Sequence, residues 1–269
     1  MNTAPPTPRT LFLSPRVTAT GHALAAAARR RGMATRTLPT WRVPQDAAGT
    51  VGPSLYAGPL FADAVAGDLG LGLLEADEDW LARLPFELVG RNVGFTTLAE
   101  ARALRRPAFM KPPNDKSFPA RVYPDGSGLP GPDAVDDDAP VLVSDIVAFA
   151  VEYRLFLLDG EVVTGSRYAT RGELDVAPLD GDRPAAEVRD FAARLFAPGV
   201  PELPGAVVVD VGRTADGWAV VEANAAWASG HYACDADAAL DVVLRAAAPL
   251  AGVAPRDRRF LRPAVSVVR

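Results

Sequence analysis

Lysine is almost missing from this chain: of its 28 basic residues only Lys111 and Lys116 are lysine, and the rest are arginine. Cysteine occurs once, at Cys234, which excludes an intramolecular disulfide framework and a cysteine-based zinc cage. Two histidines, His22 and His231, are too few for a multi-histidine metal site. Apolar runs are short and interrupted, well below the roughly 20 residues of a membrane helix. No charged segment followed by a hydrophobic one opens the sequence, so a secretory signal is not expected. A net charge of -5 offers no electrostatic footprint for nucleic acid or an anionic membrane. The expectation is a soluble, cytoplasmic protein, monomeric or homodimeric.

What is present is ordinary for a globular chain: 269 residues, 49% hydrophobic and 23% charged, enough for one large or two small domains. Abundant Ala, Pro and Gly suggest a high-GC genome in which surface lysines drift to arginine. Both surviving lysines fall in one short window, KPPNDK (111–116). An ammonium on a flexible stem is not replaceable by a planar guanidinium where it must reach a phosphate as a point charge.

TLFLS (10–14), an alanine-rich helical stretch (18–32) closed by Gly32, and MATRTL (33–38) read as a βαβ start. The turn after the first strand offers only Gly21, which argues against a dinucleotide fingerprint. Residues 39–60 read as irregular, with helical patterns near 60–69, 76–83 and 96–104, the last opened by Thr96 or Thr97 with Glu100 as capping-box partner. AFMKP (108–112) is a strand, and 112–140 is loop-rich. PVLVSDIVAF (140–149) is apolar, VEYRLFLLDGEVVTGSRYA (151–169) is a hairpin turning at Asp159-Gly160, and 184–197 and 235–248 are helices. A second hairpin joins AVVVDVG (206–212) to WAVVEAN (218–224).

That second hairpin carries the chemistry. Glu222 and Asn224 share a strand face, and folding about 215–217 brings Asp210 directly or diagonally opposite Glu222. Two carboxylates facing each other among valines repel and are costly to desolvate. A magnesium ion would relieve both penalties; the alternative is a solvated face, or pairing with an arginine such as Arg213. In the first hairpin Glu152 and Arg154 share a face that Arg167 could join from the return strand.

Together, FMKPPNDKSF, VEYRLFLLDGEVV and VVVDVG…WAVVEANAAW resemble the ATP-grasp superfamily, in particular the clade named for an arginine and two lysines. The resemblance covers roughly 106–248. It implies an α/β and α+β architecture: a pre-ATP-grasp α/β domain (1–95), a lid subdomain (96–147) and a C-terminal subdomain with the magnesium site (148–269). It implies ATP phosphates on Lys111 and Lys116, ribose on Glu152, and adenine at the backbone of Ser144, Asp145, Ile146 and Val147. Magnesium would fall to Asp210, Glu222 and Asn224, and the clade arginine to Arg154, with Arg167 second. DGSGLPG (125–131) is the candidate for the mobile glycine-rich loop, and AWASGHYACD (226–235) is placed to shape an acceptor pocket. The implied reaction is ADP-forming ligation of a small-molecule or peptide carboxylate to an amine through an acylphosphate. A phosphotransferase or a non-catalytic nucleotide-binding module remains the alternative.

Overall fold

Strand β1 (Thr10–Leu13) opens the computed structural model, which describes residues 9–47 and 49–264; the ends of the expected outer domains, 1–8 and 265–269, lie outside that range. Helix α1 (Ala19–Arg30) follows, capped by the Thr18 hydroxyl, which accepts from the Gly21 amide at 2.9 Å. Arg29 and Arg30 occupy its last turn, where the helix dipole favours cations, and Gly32 at φ +72 releases the chain into β2 (Ala34–Thr37). Within the stretch expected to be irregular, Pro53–Tyr56 forms strand β3, buried at every position and parallel to β1. PSLY has no period of its own; pairing with β1 makes it a strand. The order β2-β1-β3 sets the carboxyl ends of β1 and β3 side by side, at Ser14 and Tyr56.

Helix α2 (Pro59–Val65), strand β4 (Leu71–Leu73) and the short helices α3 (Trp80–Arg83) and α4 (Phe86–Val89) lead to an antiparallel sheet. Its strands are β5 (Val93–Thr97), β6 (Ala108–Lys111), β7 (Arg121–Tyr123) and β8 (Pro140–Ser144), in the order β5-β8-β6-β7. Helix α5 (Leu98–Arg102) has the expected capping box, with Thr97 as the cap. Gly126 is buried beneath α5, where a Cβ would collide with the Ala101 carbonyl. The DGSGLPG segment therefore packs in this sheet's own core and is not brought to the cleft described below.

The third sheet holds β9 (Val151–Leu158), β10 (Glu161–Thr170), β11 (Glu173–Pro178), β12 (Ala206–Arg213) and β13 (Trp218–Asn224), all antiparallel, in the order β11-β10-β9-β12-β13. Asp159 and Gly160 both take positive φ, 49 and 92, as a two-residue primed turn requires. Alternation along the central strands feeds two cores. Leu155, Leu157, Val207 and Val209 pack with helix α6 (Ala185–Arg194); Phe156, Ala206 and Val208 pack with helix α7 (Ala236–Ala246). The α7 side is continuous with the N-terminal sheet, and β14 (Ala247–Pro249) pairs with β4, so residues from both expected outer domains share one core. The polar site is the continuation of this α7-facing side beyond the end of the helix.

Candidate active site

Arg154, Asp210 and Glu222 lie side by side across β9, β12 and β13. A bulge creates this row: Val221 is an extra residue between the Val211–Val220 and Asp210–Glu222 pairs, and it rotates Glu222 onto the face of Asp210. Asp210 is 1% exposed, and its carboxylate accepts from Arg154 Nε at 2.9 Å and Nη2 at 2.6 Å. Arg154 Nη1 donates to the Gly230 carbonyl at 3.3 Å. The Asn224 amide donates to Glu222 at 2.9 Å and to Asp210 at 3.3 Å. From β6, Lys111 forms an ion pair with the other Glu222 oxygen.

Burial pushes Asp210 up to about 6 against the pull of Arg154, so it is still ionised at neutral pH. For Glu222 burial also works upward, but Lys111 outweighs it and holds the carboxyl below its ordinary value. Asp210 keeps Arg154 protonated despite desolvation. The facing carboxylates expected from sequence are thus present, but they are not an uncompensated pair: each has its own cation. The arginine on Asp210 is Arg154, whereas Arg213 pairs with Glu187.

The other expected residues divide. Lys116 is exposed on the loop after β6 and lines the same cleft as Lys111. Glu152 sits two residues from Arg154 and accepts from the Tyr168 hydroxyl at 2.7 Å. Ser144 donates to the Asp145 carbonyl; the Asp145 carboxylate accepts from Asn92; Ile146 is exposed; Val147 lies in the segment linking β8 to β9, and none of the four lines the cleft. Arg167 does not join Arg154. The unpaired residue Val163 shifts the hairpin register, sets Arg167 opposite Tyr153, and turns it to Asp182 at 2.6 Å and Asp175 at 3.1 Å on the other face.

The cleft holds about 1030 Å³. One wall carries Lys111, Lys116, Arg154, Glu222 and Asn224; the opposite wall is the N-terminal sheet's carboxyl edge, with Ser14, Arg16, Thr18, Thr20, Tyr56 and Gly58. The segment after Asn224 closes the end through Trp227, Ser229, Gly230, His231 and Tyr232. Tyr232, at φ +50, stacks on Tyr168 with centroids 5.2 Å apart, and the Arg154 guanidinium lies 5.2 Å from the Tyr232 ring. Thr20, Tyr56 and Tyr168 carried no local signal in the sequence, because only tertiary packing brings them here.

Residues 88–242 match a family model described as an ATP-grasp domain, family 2 of the clade named for an arginine and two lysines. The chain belongs to this family. Among curated proteins none matches it. Among solved structures it is similar to the RimK domain protein ATP-grasp from Sphaerobacter thermophilus, with TM-score 0.51, 19% identity, and coverage of 88% of this chain and 99% of the other. It is also similar to the ATP-grasp ligase PsnB complexed with minimal precursor, with TM-score 0.50, 16% identity, and coverage of 89% and 99%. At these identities the likeness establishes the ATP-grasp fold.

Within the ATP-grasp fold, two carboxylates and an amide on one face form the hard-oxygen donor set that suits magnesium. Glu222 and Asn224 reach the cleft, while Asp210 lies beneath them and is fully engaged by Arg154. Among the described residues no three His, Cys, Asp or Glu side chains gather as a metal cluster, so such a site rests on two carboxylates plus the Asn224 amide. No helix among the described residues is long and apolar enough to cross a membrane.

Proposed function

We propose that this ATP-grasp protein is an ATP- and magnesium-dependent ligase that joins a small-molecule or peptide carboxylate to an amine through an acylphosphate, releasing ADP. The observation that carries this reading is the cleft itself. Lys111, Lys116 and Arg154 gather on one wall beside Glu222 and Asn224, facing a second wall of hydroxyls and Arg16 from the N-terminal sheet. One wall suits a polyphosphate and the other an organic substrate.

In this reading Lys111 leaves Glu222 for the phosphates, Lys116 joins it from the loop after β6, and Arg154 offsets charge on the acyl-phosphate oxygens. Magnesium would be held by Glu222 and Asn224 with Asp210 behind them, and would supply further neutralisation of the phosphate charge. Glu152 would take the ribose and the backbone of 144–147 the adenine, both beyond the lining of the cleft itself. Arg154, not Arg167, is the arginine facing the chemistry. Millimolar Mg-ATP should raise the melting temperature, since a ligand bound only by the native state stabilises it. Carboxylate-dependent release of ADP, with hydroxamate formed in hydroxylamine, supports the acylphosphate route. AMP as product, or no thermal shift with Mg-ATP, overturns it.

A further inference from the structure

We propose that His231 is the base that takes the proton from the acceptor amine, held in position by Thr20 from the opposite wall of the cleft. This rests on the ligase reading and names the residue that its second half-reaction needs. An amine attacking an acylphosphate forms a C–N bond as the C–O bond to phosphate breaks, the electron pair leaving with the phosphate. The nitrogen must shed a proton, and at neutral pH an aliphatic amine arrives carrying an extra one.

The cleft contains one neutral nitrogen base among its described lining residues. Arg16, Lys111, Lys116 and Arg154 are cations. Glu222 is paired with Lys111, and in the ligase reading it is taken up by magnesium once Lys111 moves to the phosphates; Glu75 accepts from Arg262 at 2.8 Å. Asp115 is exposed and caps the Ser117 amide at 2.9 Å. Burial pushes the Tyr56 phenol up, away from use as a base. That leaves His231 beside Tyr232.

Thr20 clamps His231 twice across the cleft. Its hydroxyl oxygen is 3.1 Å from His231 Nδ1 and accepts from the His231 backbone amide at 3.1 Å. A hydroxyl has one hydrogen and two lone pairs. In the proposed arrangement Thr20 receives both the backbone N–H and Nδ1–H, and Nε2 is left unprotonated. Arg16, Tyr56, Arg154 and Tyr232 are the titratable and charged groups that line the cleft around it. Burial holds His231 below its ordinary value, so the ring is neutral at pH 7. Nε2 then accepts the extra proton of the arriving ammonium while Nδ1–H stays on Thr20, the ring becoming imidazolium; the second proton, shed as the C–N bond forms, leaves with the departing phosphate.

The test compares the parent, His231→Gln, Thr20→Val and Thr20→Ser with Mg-ATP and the twenty amino acids as the carboxylate and amine pool. Hydroxylamine, unprotonated at pH 7, serves as the alternative acceptor. His231→Gln should make hydroxamate at the parent rate and lose about a hundredfold in amide formation, a deficit that shrinks as the pH rises towards the amine's own pKa. Thr20→Val should move in the same direction and Thr20→Ser should restore the parent profile. Nitrogen NMR of the two-histidine protein should show His231 as the Nδ1–H tautomer. Unchanged amide formation in His231→Gln, equal loss of hydroxamate and amide, or the Nε2–H tautomer each overturns the proposal. A parent that forms neither ADP nor hydroxamate fails the ligase reading instead, and the proposal falls with it.

Discussion

Replacing Lys111 by Met removes the cation from Glu222 and leaves a carboxylate in the cleft wall with the Asn224 amide as its nearest donor. The Lys111 side chain is 12% exposed and that of Glu222 26%. An exposed ion pair contributes about 0.2–1 kcal/mol, and removing one partner of a buried pair costs about 3–5 kcal/mol. A pair three-quarters covered or more falls between, at about 2–3 kcal/mol, or roughly 5–10 °C in melting temperature for a chain of this size. The pH dependence is sharper than the magnitude. In the parent, Glu222 is held below its unfolded value, so it contributes stability above the unfolded pKa that is lost as the pH falls through the folded one. In Lys111→Met burial is less opposed and the folded pKa rises above the unfolded one. The contribution then changes sign: it is fully present at low pH and lost as the pH rises through the new folded value. The gap between the two proteins therefore widens from about pH 4.5 to pH 7. Asp210, lifted to about 6, loses stability with rising pH in both proteins; Lys111 also acts on it, so its removal adds in the same direction. Urea denaturation across this range measures the gap, and Lys111→Met/Glu222→Gln should recover most of the loss because no unpaired charge remains. A cost below about 0.5 kcal/mol at every pH would show that the ion pair does not form in the folded protein.

The hairpins were legible because their signals are local: Asp159-Gly160 marks one turn, and alternation marks the strands. What those signals cannot carry is an extra residue. An unbroken hairpin from the Asp159-Gly160 turn would set Arg167 opposite Glu152, on the face of Arg154; the unpaired Val163 turns it to the other side. The bulge at Val221 acts the other way, since without it Asp210 would face position 221 and Glu222 would point into the α6-side core. One bulge broke an expected contact and the other made one. The pairing of Arg154 with Asp210 depends on β9 lying beside β12, strands more than fifty residues apart in sequence, and no local pattern encodes that neighbourhood. Strand β3 was hidden for a similar reason, as its partner β1 precedes it by a whole helix.

Three further outcomes test the site. Lys116→Met should leave stability within about 0.5 kcal/mol of the parent, as expected for an exposed side chain, while lowering Mg-ATP affinity; calorimetry finding equal affinity would remove Lys116 from the phosphate site. Asp210→Asn should cost about 3–5 kcal/mol, because it leaves the Arg154 guanidinium buried without its counter-charge, and a variant as stable as the parent would refute the buried pair. Gly212→Ala tests the link between β12 and the segment joining β8 to β9. A Cβ on Gly212 would collide with the Phe149 ring, which also lies against the Arg91 guanidinium at 5.8 Å. Gly212 has no left-handed backbone to protect, so the whole penalty comes from that contact, about 1–3 kcal/mol as for other overpacked sites. Moving the ring displaces the chain just after 144–147, so Mg-ATP affinity should fall with stability. Phe149→Leu should relieve the clash, making Gly212→Ala cheaper in that background than in the parent. Equal costs in the two backgrounds, by denaturation, would mean that Phe149 does not rest on Gly212.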